Sequence, residues 1–172
     1  LSSSFNWRNV NPAIFGSIFE SALTGKERHK LGAHYTHEID IKKIVVPVIV
    51  PPWNEKIEHS ATLSEYYALL EELATFKVLD PACGSGNFLF IAYKEMKLIE
   101  KRLLRLVREH SVKIDDAKRL VHFLTEYKFV TTNQFYGLDI KPFAVELAKV
   151  TLMIAKELTW LEANEDFDNK YK

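Results

Sequence analysis

Apolar residues recur first at helical spacing. Asn11-Pro12 reads as an N-cap and first-turn pair, Ile14, Phe15, Ile18, Phe19 and Leu23 follow on one stripe, and Gly25 ends it. Ser2 to Arg8 precede this as a polar tether, and Lys26 to Tyr35 follow as a charged loop. Thr36 then reads as the cap of a second helix carrying Ile39, Ile41, Ile44, Val45, Val48 and Ile49, with Pro47 expected to kink or end it. Pro51 to Thr62 is expected to be a loop, and apolar positions 66, 69, 70 and 73 predict a third helix from Leu63 to Thr75. There the period changes. Phe76-Lys77-Val78-Leu79 is short, apolar and partly β-branched and runs into Asp-Pro and two glycines, the mark of a buried strand entering a turn. Asn87 to His110 returns to helical spacing, with Leu89, Tyr93, Met96, Ile99, Leu103, Leu106 and Val107 on one face and Lys97, Lys101, Arg105 and Arg108 on another. Asp115 and Asp116 open a further helix to about Tyr127, since acids suit a first turn. Phe135 to Ile140 reads as a second strand, and Pro142 starts a strongly apolar helix to about Trp160, with a polar tail from Glu162.

The order strand, long helical crossover, strand implies a parallel pair. Two strands are too few, because buried parallel strands need neighbours on both sides and helices alone leave unpaired edges. The pattern therefore predicts the front part of a larger doubly wound α/β sheet, helix-rich and with few parallel strands.

Composition narrows the class of protein. At 172 residues and 47% hydrophobic the chain can bury a core. Lys+Arg and Asp+Glu balance at 23 each, which argues against a protein that coats nucleic acid by charge alone but leaves room for a lobe with a basic partner elsewhere. The single Cys83 rules out an internal disulfide and suits a reducing compartment; with no signal peptide visible, a cytoplasmic setting is expected. The longest apolar run, Ile44 to Trp53, is interrupted by three prolines and too short for a bilayer, so no membrane association is expected. The first residue is Leu rather than Met, which suggests a fragment of something longer.

The chemistry concentrates in Leu79 to Phe90, L-D-P-A-C-G-S-G-N-F-L-F. A loop between a strand's carboxyl end and a helix N-terminus is where open α/β sheets bind ligands. Gly84 and Gly86 permit backbone angles closed to other residues, and free amides at a helix start attract carboxylate or phosphate. No G-K-[ST] follows, so this is not a phosphate-binding Walker loop, and Leu89 breaks G-x-G-x-x-G. Asp80 before the glycines would repel a pyrophosphate but suits a ligand bearing an ammonium. S-adenosylmethionine carries an ammonium, a carboxylate, a sulfonium and a ribose diol. The plain alternative is a strand–helix turn with no ligand.

This stretch resembles motif I of amino-methylating DNA methyltransferases, mainly N6-adenine enzymes. Leu31-Gly32-Ala33-His34-Tyr35-Thr36 resembles motif X, and Tyr136-Gly137-Leu138-Asp139-Ile140-Lys141-Pro142 resembles motif II, in the gamma order X-I-II. Together with Phe15-Gly16-Ser17-Ile18-Phe19-Glu20, these runs are similar to the MmeI-like class of single-chain restriction–modification enzymes, which fuse nuclease, methyltransferase and target-recognition parts. The resemblance covers about residues 11 to 160. It implies an incomplete Rossmann-like S-adenosylmethionine-dependent methyltransferase fold. Residues 1–75 would form an N-terminal helical segment with motif X, 76–161 the first part of the cofactor-binding domain, and 162–172 the polar tail. It further implies that Tyr35 and Thr36 close over the methionine end. Asp80, Pro81, Ala82, Cys83, Gly84 and Gly86 hold the methionine, with Asn87 and Phe88 at the helix start. Asp139 accepts the ribose hydroxyls and Ile140 packs on adenine. Asp139 lies much further past the glycines than the roughly 20 residues usual in dinucleotide folds, a distance that a two-helix crossover accounts for. Asp115 and Asp116 are nearer in sequence but read as helix-terminal charges.

The family's catalytic Asn- or Asp-Pro-Pro-aromatic tetrapeptide, which accepts hydrogen bonds from the target amine of a flipped base, does not occur after Asp139. Val50-Pro51-Pro52-Trp53 imitates it without a side-chain acceptor and in the wrong order, and reads as an extended proline linker. The expectation is thus the cofactor-binding fragment of a site-specific DNA adenine methyltransferase acting on double-stranded DNA through its full-length parent, with no catalytic residue in this chain and no activity alone. Two alternatives stay open: an RNA or protein-amide methyltransferase lobe, and a non-catalytic scaffold for DNA binding or assembly. Cys83 sits inside the turn as packing rather than as a nucleophile. His29, His34, His37 and Glu38 lack metal-ligand spacing, so no metal is expected. Four D/E-x-K tripeptides (at 40, 95, 126 and 139) are too many to mark a nuclease site. The basic stripe from Lys97 to Arg108 reads as a solvated helix face rather than a DNA contact.

Overall fold

The computed structural model describes residues 36–111 and 129–170, the backbone alone from position 160 onward. The helix expected after Asn11, the aromatic-rich run from Phe15, Tyr35 and the helix opened by Asp115 and Asp116 lie outside these residues. The described elements are α1 (Glu38–Glu58), α2 (Leu63–Thr75), β1 (Val78–Asp80), α3 (Asn87–Ser111), β2 (Phe135–Gly137) and α4 (Pro142–Lys170). A short 3-10 turn, Thr132–Gln134, leads into β2.

α1 corrects two expectations. It does not end at Pro47, and the supposed linker from Pro51 is its second half: Pro47, Pro51 and Pro52 all stand inside one helix of 21 residues. Each interior proline forfeits a backbone hydrogen bond and costs about 3 kcal/mol. Against this, Ile41, Val45, Ile49, Trp53 and Ile57 recur every fourth position and are all buried, while the three prolines face solvent. Burying such side chains recovers about 1.5–3 kcal/mol each, so the packed stripe holds the helix through its weak donors. The cap also moves: His37, not Thr36, is the N-cap residue, and it makes no side-chain capping bond.

α2 forms where its periodicity predicts. Thr62 and Glu65 close a capping box, with the Glu65 amide donating to Thr62 Oγ1 at 3.3 Å and the Thr62 amide donating to Glu65 Oε2 at 2.8 Å. Tyr66, Leu69, Leu70 and Leu73 are buried. α3 is the spine of the molecule. Leu89, Tyr93, Met96, Ile99, Leu103 and Val107 form its buried face, and α1, α2, α4 and both strands all pack on it. Edge-to-face contacts join Trp53 to Phe76 and Tyr93 to Phe135.

The two strands pair in parallel, Val78 with Phe135, Leu79 with Tyr136 and Asp80 with Gly137. They are shorter than the apolar runs suggest, three residues each, and β1 is only partly buried. Phe135 faces α3, whereas the register partners Leu79 and Tyr136 are 59% and 47% exposed. One face of the sheet therefore carries the helices, while the other is partly open, with Lys77 Nζ lying 5.9 Å from the centroid of the Tyr136 ring. Two buried polar groups fix the frame. The Gln134 side-chain amide donates to the carbonyls of Leu73 (2.7 Å) and Phe76 (3.0 Å), and its oxygen accepts the Thr131 amide (2.6 Å), tying the end of α2 to the start of β2. Glu100, 3% exposed, accepts the Val130 amide at 2.9 Å and pairs with Lys97, so its buried charge is compensated. α4 runs on to Lys170 through the residues whose composition reads as a polar tail.

Candidate functional site

The site gathers where β1 and β2 end. Beyond the last paired residues the ladder continues into the loops: the Leu138 amide donates to Asp80 O and the Cys83 amide to Leu138 O, both at 2.9 Å. This brings the glycine loop and the post-β2 loop side by side. Asp139 completes the junction. Its Oδ2 accepts the Gly84 amide at 3.1 Å and its Oδ1 accepts the Lys141 amide at 2.8 Å. The two acids singled out from sequence, on elements far apart in the chain, thus belong to one site.

Asp80 is the chemically exposed member. Its Oδ1 accepts the Ala82 amide at 3.0 Å, folding the loop over the strand end. Its Oδ2 is buried and has no hydrogen-bond partner among the described residues. Burial, and to a lesser degree the nearby Asp139, push the Asp80 carboxyl above the usual carboxylate range. A buried, unmatched carboxylate oxygen is costly unless a donor or cation reaches it.

The glycines are needed for different reasons. Gly84 takes φ +49 with open space where a side chain would be, and Gly86 takes φ +85 with a Cβ position only 2.9 Å from the Ala148 Cα of α4. Gly137, in the motif but with no role expected of it, makes room for Cys83: a Cβ there would stand 2.8 Å from the thiol sulfur. Cys83 is buried, and burial together with Asp80 and Asp139 pushes its thiol up to about 11. It is a neutral packing group at physiological pH, in line with the sequence reading.

Asn87 and Phe88 begin α3, half-buried; Pro81 and Ala82 are exposed; Ile140 is 81% exposed beside Asp139. Thr36 stands partly buried two residues ahead of α1. A cleft of about 360 Å³ runs along β1, lined by Ile44, Val48, Phe76, Leu79, Pro81 and Phe88. Asp80 lies at its lining but Gly84 and Asp139 do not, so it adjoins the acid pair rather than enclosing it.

The imitation tetrapeptide is helix scaffolding: its prolines face solvent, and Trp53 is 3% exposed inside α1 and cannot stack on a base. Among the described residues no group of three or more His, Cys, Asp or Glu could hold a metal. Two D/E-x-K tripeptides dissolve into ordinary helix pairs, Lys42 with Glu38, Asp40 with Lys43, and Lys97 with Glu100. The basic stripe is partly spent in the same way, Lys97 on buried Glu100 and Arg105 on Glu109. Sequence reasoning passed over Gln134 and Thr151, whose side chains act on backbone carbonyls. The only signal for Thr151 was a hydroxyl in an otherwise apolar helix face.

A helix-rich chain with a parallel strand pair and a glycine loop at its carboxyl end is consistent with a partial Rossmann-like fold. Residues 54–171 match the family model of the MmeI DNA-methyltransferase domain, and the chain belongs to that family. It is 35% identical to DNA methyltransferase A of Bacillus subtilis over 96% of this chain, and 33% identical to a putative type II restriction enzyme and methyltransferase of Methanocaldococcus jannaschii over 85%. It spans 17% and 14% of those proteins. The structure of the type IIL restriction–modification enzyme MmeI in complex with DNA superposes with a TM-score of 0.80 at 31% identity, over 96% of this chain and 21% of that one. No helix among the described residues is long and apolar enough to cross a membrane.

Proposed function

We propose that this chain is the S-adenosylmethionine-binding part of a cytoplasmic, site-specific DNA adenine-N6 methyltransferase of a restriction–modification system. The observation that carries the proposal is the unmatched Asp80 Oδ2, held beside the Asp139 carboxylate at the mouth of a glycine loop. Two acids at adjacent strand ends favour a cationic ligand over a phosphate. Asp80 suits the methionine ammonium. Asp139 spends one bond per oxygen on backbone amides and, with about four acceptor positions on a carboxylate, keeps capacity for ribose hydroxyls. In this reading the loop from Asp80 through Pro81, Ala82, Cys83 and Gly84 to Gly86 surrounds the methionine, with Asn87 and Phe88 at the helix start. Ile140, uncovered next to Asp139, offers an apolar surface to adenine, and Tyr35 and Thr36 close the methionine end.

S-adenosylmethionine supplies, when bound, a methyl group activated by its sulfonium. This chain contributes binding and orientation: the acid pair matches the ligand's positive charge, and the loop is tied in place by Asp139 and Leu138. The groups that present a flipped adenine amine would come from elsewhere in the parent protein, as would the nuclease and target-recognition parts and the contacts to double-stranded DNA. The segment before position 76 would carry motif X and residues 76–161 the first part of the cofactor domain.

Calorimetric titration with S-adenosylmethionine tests the reading, on the chain and on the full-length protein. Heat release that Asp139→Ala abolishes is expected; absence of heat in both wild-type forms would reject it in favour of a non-catalytic scaffold.

A further inference from the structure

Thr151 is fully buried in α4, at 0% exposure, and makes a contact that helix geometry does not require. A threonine inside a helix commonly donates to the carbonyl four residues back, and Thr151 Oγ1 does lie 3.0 Å from Leu147 O. It also lies 2.7 Å from the carbonyl of Ser85, in the centre of the glycine loop. Ser85 itself is 7% exposed, so water is a poor substitute partner there.

The peptide unit joining Ser85 to Gly86 is therefore held at both ends. Its carbonyl accepts from Thr151, and its N–H donates to Cys83 O at 2.7 Å. Ala148, one turn earlier on the same face of α4, closes against the bare Cα of Gly86. With Gly84 held by Asp139, the loop's course is fixed from outside at successive residues. α4 is thus a backstop that grips the loop as well as covering it.

We propose that Thr151 is a positioning residue for S-adenosylmethionine: it sets the plane of the Ser85–Gly86 peptide and so preorganises the glycine loop without touching the ligand. This rests on the reading that the loop binds S-adenosylmethionine. A loop ordered in advance loses less freedom on binding, whereas a buried carbonyl left without its donor will rotate in search of another.

The test uses the full-length protein carrying this chain, with Thr151→Val, which keeps the shape and removes the donor, and Thr151→Ser, which keeps the donor and removes a methyl. Calorimetry gives the S-adenosylmethionine Kd, and methylation kinetics give KM for cofactor, KM for DNA and kcat. In Thr151→Val the cofactor Kd and KM should rise about tenfold, the loss of one buried hydrogen bond, with kcat and the DNA KM within about twofold. Thr151→Ser should stay within about twofold of wild type throughout. Wild-type cofactor affinity in Thr151→Val would overturn the proposal, as would equal losses in both variants, which would mark the methyl's packing as the cause. A Thr151→Val protein that does not fold, or that loses DNA affinity to the same degree, would assign Thr151 a merely structural role and also overturn it. If wild type binds no S-adenosylmethionine, the cofactor reading itself fails, an outcome separate from wild-type binding that the valine leaves unchanged.

Discussion

At the scale of single residues, the site couples two costs to one purpose. The raised Asp80 carboxyl means that the folded chain favours its protonated form. That contribution is fully present below the unfolded pKa of about 3.9 and is lost as pH rises through the higher folded value. Above that value the ionised, unmatched Asp80 is therefore a burden. Asp80→Asn should raise Tm at pH 7, by about 2–4 °C per kcal/mol relieved, and the gain should shrink toward zero below about pH 4. The same change should abolish S-adenosylmethionine binding, so thermal scans and titrations of one variant would move in opposite directions. The glycines separate likewise. Gly84→Ala meets only the left-handed backbone penalty, about 1 kcal/mol. Gly86→Ala adds a collision with the Ala148 backbone and should cost about 3 kcal/mol, which chemical denaturation of the two variants would show. Asp80, Gly84, Gly86 and Asp139 could be picked out in the sequence because they form a recognisable spaced pattern. Gly137 and Gln134 showed their work only in three dimensions, since what they serve is a sulfur and two carbonyls brought near by folding.

At the scale of elements, α2 and α3 follow their hydrophobic periods almost to the residue, because propensity, capping and burial agree there. α1 does not, because a proline is a local signal and the buried stripe at every fourth position is a tertiary one. The sequence listed both, and the stronger packing term decided the outcome. Pro47→Ala, on the solvent face, should restore a backbone donor and remove ring strain while leaving the stripe intact. The expected gain is about 1–2 kcal/mol, the interior proline penalty less the looser unfolded chain. Denaturant midpoints would check it, and a loss of stability would mean that α1 is built around that proline. The strands came out shorter than their apolar runs because a ladder persists only where a neighbour exists to pair with.

At the scale of the molecule, the proposed reading divides binding from chemistry. The acid pair and glycine loop lie within the chain, while no acceptor of the Asn- or Asp-Pro-Pro-aromatic kind follows Asp139. The isolated chain should accordingly transfer no labelled methyl from S-adenosylmethionine to adenine-containing DNA; incorporation above background would show that the chain carries its own catalytic groups. The sheet offers a second molecular consequence. With Leu79 and Tyr136 half-exposed and only two strands in the described ladder, the described sheet is a template with open edges. An open strand edge invites strands from other copies to dock, so concentration-dependent self-association of the chain is expected to compete with folding. The glycine loop would then sit at the end of a sheet whose solubility depends on what lies along its edges.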